Sequence, residues 1–124
     1  MFSSLEPGEV ISVRHPQGYQ HLGIYSGQGT VIHASKDVGC VVEHLLHEFS
    51  GGRQISRHGS STRLQPWLVV ENARRQIGRR YQLFSYNCEH FVREVSGFAP
   101  TSPQLQMVML GVLVAASVWM LARG

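Results

Sequence analysis

Asn87-Cys88-Glu89-His90-Phe91-Val92-Arg93-Glu94-Val95-Ser96-Gly97 carries the start and stop signals of one short helix. Asn87 is a strong N-cap residue, whose side-chain oxygen suits the unpaired N–H groups of a first turn. Gly97 is the residue type that closes helices in the left-handed conformation. Phe91, Val92 and Val95 recur at helical spacing and predict an inward face. The capped first turn belongs to Cys88, where free N–H groups and the positive end of the dipole favour a thiolate. The expectation is a thiol of low pKa at neutral pH. A cysteine in such a place is by itself more often a small buried apolar residue, so a nucleophile needs a base elsewhere in the chain.

Upstream, short β-branched runs at 9–14, 21–25, 30–34 and 39–43 predict four strands bounded by turn residues. Ser26-Gly27-Gln28-Gly29 closes a hairpin between the second and third. That hairpin holds the candidate base, because His21 and His33 lie on its two arms. A plain two-residue turn pairs Ser26 with Gly29 and sets His21 opposite Ala34, with the histidines on opposite faces. A one-residue bulge, most easily at Gly29 with φ above zero, brings His21 opposite His33, and that bulge is the expectation. Residues 50–63 are rich in Gly, Ser and Arg and read as a mobile surface loop. Pro66 then opens a helix with Val70, Ala73 and Ile77 on one face and Gly78 near its end.

Downstream, Pro100 and Pro103 bracket a linker, and residues 105–122 form eighteen positions without a formal charge. That is near the minimum length for a spanning helix, and a run apolar on every face fits a membrane anchor better than a buried core helix. Trp119 near its end suits an interfacial position. The expected organisation is one catalytic domain at 1–100, a linker at 101–104 and an anchor at 105–122. MFSSLEPGEV shows no export signal, so a single-pass membrane protein with its catalytic domain facing the cytoplasm is expected.

The chain has 124 residues, 43% apolar and 15% charged, which allows one folded domain and excludes a disordered tail. The net charge of +3 is almost all arginine, clustered at Arg74, Arg75, Arg79 and Arg80. No aromatic residues interleave with these, so a nucleic-acid partner is not expected. The cluster reads either as a face toward anionic headgroups or as a solvated helix surface. Two cysteines without an export signal suggest reduced thiols rather than a disulfide framework.

Asn87-Cys88-Glu89-His90-Phe91, followed by Val92, resembles the NCEHF signature of the lecithin:retinol acyltransferase family, in particular its HRAS-like suppressor phospholipase/acyltransferase branch. The likeness runs along nearly the whole chain. Leu5-Glu6-Pro7-Gly8-Glu9-Val10-Ile11 is similar to the family's start of the first strand, and His21-Leu22-Gly23-Ile24-Tyr25 through Val31-Ile32-His33 to its histidine hairpin, with the same spacing of twelve. The resemblance implies an α+β, permuted papain-like (NlpC-like) fold, with an antiparallel sheet packed on helices. It implies Cys88 as nucleophile, His21 as general base and His33 as the residue that orients it. It further implies glycerophospholipid substrates, a thioester on Cys88, and phospholipase A1/A2 or acyltransferase outcomes. The Cys88 N–H and one further donor would hold the oxyanion. No cofactor or metal is implied. Leu22 stands where several relatives carry an aromatic residue. The segment 38–67 is too short for the insertion of the retinoid-specific enzyme, so retinol is not expected as acceptor.

Two other readings compete. One is a cysteine peptidase or amidase of the same fold, disfavoured by the anchor; the other is a non-enzymatic membrane or protein-interaction module that keeps the motifs as structure. Glu89 and His90 are expected to be structural, pointing away from the thiol. Cys40 reads as strand packing. His44 and His47 have an i, i+3 spacing that suits a metal on a helix but lack a third ligand. His15, His58 and Tyr81 have no partner visible in the sequence.

Overall fold

The computed structural model describes residues 5–99 and 101–123. Its strands are β1 (Val10–Arg14), β2 (Gln20–Tyr25), β3 (Thr30–Ser35), β4 (Cys40–Leu45) and β5 (Ser56–Gly59); its helices are α1 (Leu46–Ser50), α2 (Pro66–Arg75), α3 (Cys88–Val95) and α4 (Pro103–Arg123). The strands form one sheet in the order β4-β3-β2-β1-β5, and every pairing is antiparallel. The architecture is therefore α+β: an antiparallel sheet, helices against it, and a long apolar C-terminal helix.

Period-2 alternation sorts the sheet's side chains onto two faces. Ile24, Ile32, Ala34 and Val41 meet Val69, Val70 and Ala73 of α2 and Phe91, Val92 and Val95 of α3 in the larger cluster. Ile11, Val13 and Val31 point the other way and pack with Leu5 and Phe49 of α1. The inward face expected of α3 is the one observed.

Three expectations change. Residues 56–59 are not loop but the edge strand β5, paired to β1 through Val10↔Gly59, Ile11↔Arg57 and Ser12↔Ser56. All four of its residues are exposed, so no apolar alternation announces it. What holds it is edge pairing plus Arg57, whose Nε and Nη2 donate to Glu9 Oε1 and Oε2 at 2.6 and 2.9 Å. Helix α2 stops at Arg75, before Ile77 can join its buried face, and Ile77 is 47% exposed.

The third change is the hairpin register. Gly29 does take a positive φ of 79°, but Gly27 does too, at 91°. The loop takes three residues, with Ser26 N–H donating to Thr30 O at 2.9 Å, Tyr25 opposite Val31 and Ile24 opposite Ile32. The shift from the plain two-residue turn thus runs opposite to the one expected. Parity survives, so His21 and His33 share a face, but as diagonal neighbours, with Gly23 opposite His33.

Candidate functional site

The β2–β3 ladder stops at Ile24↔Ile32, and this opening positions the thiol. Tyr25 N–H donates to the carbonyl of Glu9, the residue before β1, so the backbone groups of odd β2 residues point to β1 and those of Gln20 and Leu22 point to the open side. Cys88, at the N-terminus of α3, fills that opening. Its Sγ donates to Gln20 O at 3.7 Å and receives the Leu22 N–H. The sulfur thus sits against the backbone on both sides of His21. Gln104, in the first turn of α4, closes the same gap, accepting from Gln20 N–H and donating to Gln20 O, both at 3.1 Å.

The N-cap holds as expected. Asn87 Oδ1 accepts from the N–H groups of Glu89 and His90 at 3.0 and 3.2 Å, and His90 Nδ1 accepts from Asn87 N–H at 3.0 Å. Glu89 and His90 are buried and structural. Glu89 Oε1 accepts from Ser102 Oγ at 2.7 Å and from Gln104 N–H at 2.8 Å, which fastens the start of α4 to the start of α3.

On the other face of the sheet the imidazoles are joined. His21 Nε2 and His33 Nδ1 are 2.8 Å apart, and both rings lie against Phe49. No hydrogen bond links either ring to Cys88 among the described residues, and His21 Nδ1 has no partner among them. Two cavities lie here. A largely apolar one of about 250 Å³ takes in Cys88, Tyr81, Leu83, Leu105 and Val108. A polar one of about 240 Å³ is lined by His21, His33, His44, Asp37 and Glu48. Tyr19 and Lys36 border both.

The electrostatics reverse the expectation of an ionised thiol. Cys88 is 3% exposed, and burial pushes its thiol up to about 11, against the opposing pull of the N–H groups of Leu22, Cys88 and Glu89. Burial also lowers His21 to about 4, with His15 adding to it, and His33 to about 3, with His21 and His44 adding to it. The helix-start dipole is real, but desolvation of a thiolate this deep outweighs it. Thiol and both imidazoles are neutral at pH 7.

Other residues find places the sequence did not suggest. His44 lies on β4 and His47 on α1, and His44 Nδ1 is 3.0 Å from His33 Nε2; no group of three metal-binding side chains occurs among the described residues. His15 stacks on Tyr19 with centroids 4.4 Å apart, and His58 Nε2 is 2.7 Å from Ser12 Oγ. His44 could have been found by extending the fourth strand by one residue, since it then falls on the histidine face. Gln104 had no signal, being outside any motif.

The site thus combines a thiol at a helix N-terminus with a hydrogen-bonded pair of strand histidines. The family model for lecithin retinol acyltransferase matches residues 3–97, and the chain belongs to that family. It is 30% identical to phospholipase A and acyltransferase 3 of Mus musculus over 133 residues, covering 89% of this chain and 82% of that protein. The proteins of the same name from Homo sapiens and Pongo abelii are 28% and 27% identical over the same shares. These relatives place the chain in the phospholipase A and acyltransferase branch.

Proposed function

We propose that this chain is a membrane-anchored, thiol-dependent phospholipase A1/A2 and acyltransferase that acts on glycerophospholipids through an acyl thioester on Cys88. The observation that carries the reading is the 2.8 Å His21–His33 pair, whose His21 follows directly on the Gln20 carbonyl that holds the Cys88 sulfur. Family membership and the names of the relatives support the substrate class.

The sheet-on-helix layout is read as a permuted papain-like domain spanning 1–100, with 101–104 as linker and 105–122 as anchor. Helix α4 is long and apolar enough over Pro103–Ala122 to cross a membrane, since 20 residues rise about 30 Å, the thickness of a bilayer core. Cys40 and Cys88 are both free thiols, which suits a domain on the cytoplasmic side.

In the first half-reaction the Cys88 sulfur attacks the ester carbonyl carbon while its proton passes to His21 Nδ1. The Cys88 N–H, at the helix start, donates to the oxyanion. The ester C–O bond breaks, His21 returns the proton to the departing lysophospholipid oxygen, and the acyl group remains on Sγ. In the second half, His21 Nδ1 takes a proton from water, an amine or a lysophospholipid hydroxyl; that nucleophile attacks the thioester, the C–S bond breaks and the proton returns to sulfur. The neutral resting state fits this sequence, because thiolate and imidazolium arise together and each offsets the other's burial. The apolar cavity beside Cys88 receives the acyl chain.

Mass spectrometry of the full chain in detergent micelles with phosphatidylcholine tests this. An acyl adduct on Cys88, absent in Cys88→Ala and accumulating slowly in His21→Ala, is expected. An unmodified Cys88 with intact lipid, across several phospholipids, overturns the reading.

A further inference from the structure

The His21–His33 pair does not end at His33. β3 and β4 pair with His33 opposite Val42 and Val31 opposite His44, so His44 stands diagonally from His33 on the same face, as His33 stands from His21. Diagonal neighbours on one face are within reach of aromatic side chains. The His33 and His44 rings are tilted with centroids 5.0 Å apart, and His33 Nε2 meets His44 Nδ1 at 3.0 Å. Three imidazoles therefore run in a row across β2, β3 and β4, Nε2 to Nδ1 at each step. Nδ1 of His21 at one end and Nε2 of His44 at the other have no hydrogen-bond partner among the described residues.

A neutral imidazole donates from one nitrogen and accepts at the other, so the row has only two consistent settings. In one, every ring carries its proton on Nε2: His21 donates to His33, His33 donates to His44, and His21 Nδ1 presents a bare lone pair. In the other, every ring carries its proton on Nδ1, and His21 Nδ1 has no lone pair to offer. We infer that His44 is a positioning residue for the thiol chemistry: by accepting from His33 Nε2–H it holds the row in the setting that leaves His21 Nδ1 free as the base. This rests on the proposed role of His21.

The inference gives the row a direction of control. A proton placed on His44 Nδ1 turns it into a donor and forces the opposite setting along all three rings, which removes the base from His21.

Three full-length variants in detergent micelles test the inference with two readouts. Nitrogen-15 NMR of the imidazoles reports which nitrogen is protonated, independently of turnover; steady-state kinetics with a phosphatidylcholine substrate reports kcat and KM. In the wild type, His21 and His33 should both show the Nε2–H tautomer. His44→Phe removes the acceptor and should give His33 a mixture of tautomers. Because a general base is worth roughly 100- to 10 000-fold, partial loss of the correct tautomer should lower kcat about tenfold, with KM within about twofold. His44→Asn, whose side-chain oxygen can accept near the Nδ1 position, should restore the tautomer and most of kcat. His44→Gln, an acceptor on a longer arm, should rank between them. Unchanged tautomers and kcat in His44→Phe, or equal losses in all three variants, would falsify the inference. A wild type with the expected tautomers but no acyl transfer would instead strike at the proposed function.

Discussion

A methyl group at position 23 has no space. A Cβ there would stand 2.5 Å from Val31 Cγ1, 2.9 Å from Phe49 Cε1 and 3.3 Å from His33 Cβ, so the glycine allows the two histidine-bearing strands and the Phe49 ring to close on each other. Overpacking of this kind costs about 1–3 kcal/mol. Gly23→Ala is expected to lower Tm by several degrees and to slow acylation of Cys88 by displacing the His33 ring; a variant with wild-type Tm and acylation would show that the contact yields freely. The same two histidines set an acid limit on stability. Their folded pKa values, about 4 for His21 and about 3 for His33, lie below the ordinary 6.5, so below pH 6.5 the unfolded chain binds protons that the folded chain refuses. Stability is full above about pH 6.5 and is lost as pH falls toward 4. At 1.36 kcal/mol per unit, His21 alone contributes about 3 kcal/mol of that loss. Thermal unfolding of the full chain between pH 4 and 8 should show this slope, and His33→Gln should flatten it; a slope unaffected by the substitution would assign it to other groups.

Among the elements, those announced by local chemistry were legible and those made by long-range contact were not. Helix α3 could be drawn from its cap, its period and its closing glycine, because all three signals lie within the segment itself. The histidine hairpin could be placed for the same reason, but its register could not: Gly27 and Gly29 both accept positive φ, and the choice between loops of two and three residues is made by pairing along the arms. Strand β5 has no apolar pattern at all and exists because Glu9, only 2% exposed, brings Arg57 to the edge of β1. The ionisation of Cys88 was misread because a cap is local whereas burial belongs to the whole fold. Glu89 illustrates a residue whose work was not legible: it lines the cavity of the thiol, and there it holds the start of α4. Glu89→Ala leaves Ser102 Oγ–H and Gln104 N–H without their acceptor, a loss of about 1–3 kcal/mol. Hydrogen exchange at Gln104 and Leu105 should quicken, and acylation of Cys88 should slow as the Gln104 clamp on Gln20 loosens. Glu89→Gln, which keeps an acceptor oxygen, should show much smaller effects. Unchanged exchange in Glu89→Ala would mean that Ser102 and Asn87 hold the junction by themselves.

For the molecule as a whole, the proposed function raises the question of what would bring the Cys88 cavity to a bilayer. Charge is a weak candidate. Three of the four clustered arginines are engaged within the protein, Arg74 with Glu43, Arg75 with Glu71 and Arg79 with Glu94, so much of the basic field is neutralised at the surface. Apolar contact is better placed. Helix α4 is bonded at its first turn to α3 and β2, and its Leu105 and Val108 form one wall of the cavity that holds Cys88. A membrane containing α4 therefore meets the protein at the mouth of this cavity, and an acyl chain can pass from bilayer to thiol along an apolar wall. Phe84, 69% exposed, sits in the segment leading to α3, beside Leu83 of the cavity lining, and is the side chain this geometry would press into lipid. Burying a phenylalanine is worth about 1.5–3 kcal/mol. If Phe84 contributes that much to seating the domain on lipid, Phe84→Ser should lower turnover of phosphatidylcholine vesicles roughly 10- to 150-fold. Hydrolysis of a short-chain, water-soluble ester should stay near the wild-type rate, because Phe84 is outside the cavity. Adding anionic lipid to the vesicles should not rescue the variant, since the missing contact is apolar. An equal fall on both substrates would place Phe84 in the support of the site rather than at the membrane, and full rescue by anionic lipid would return the docking role to the arginines.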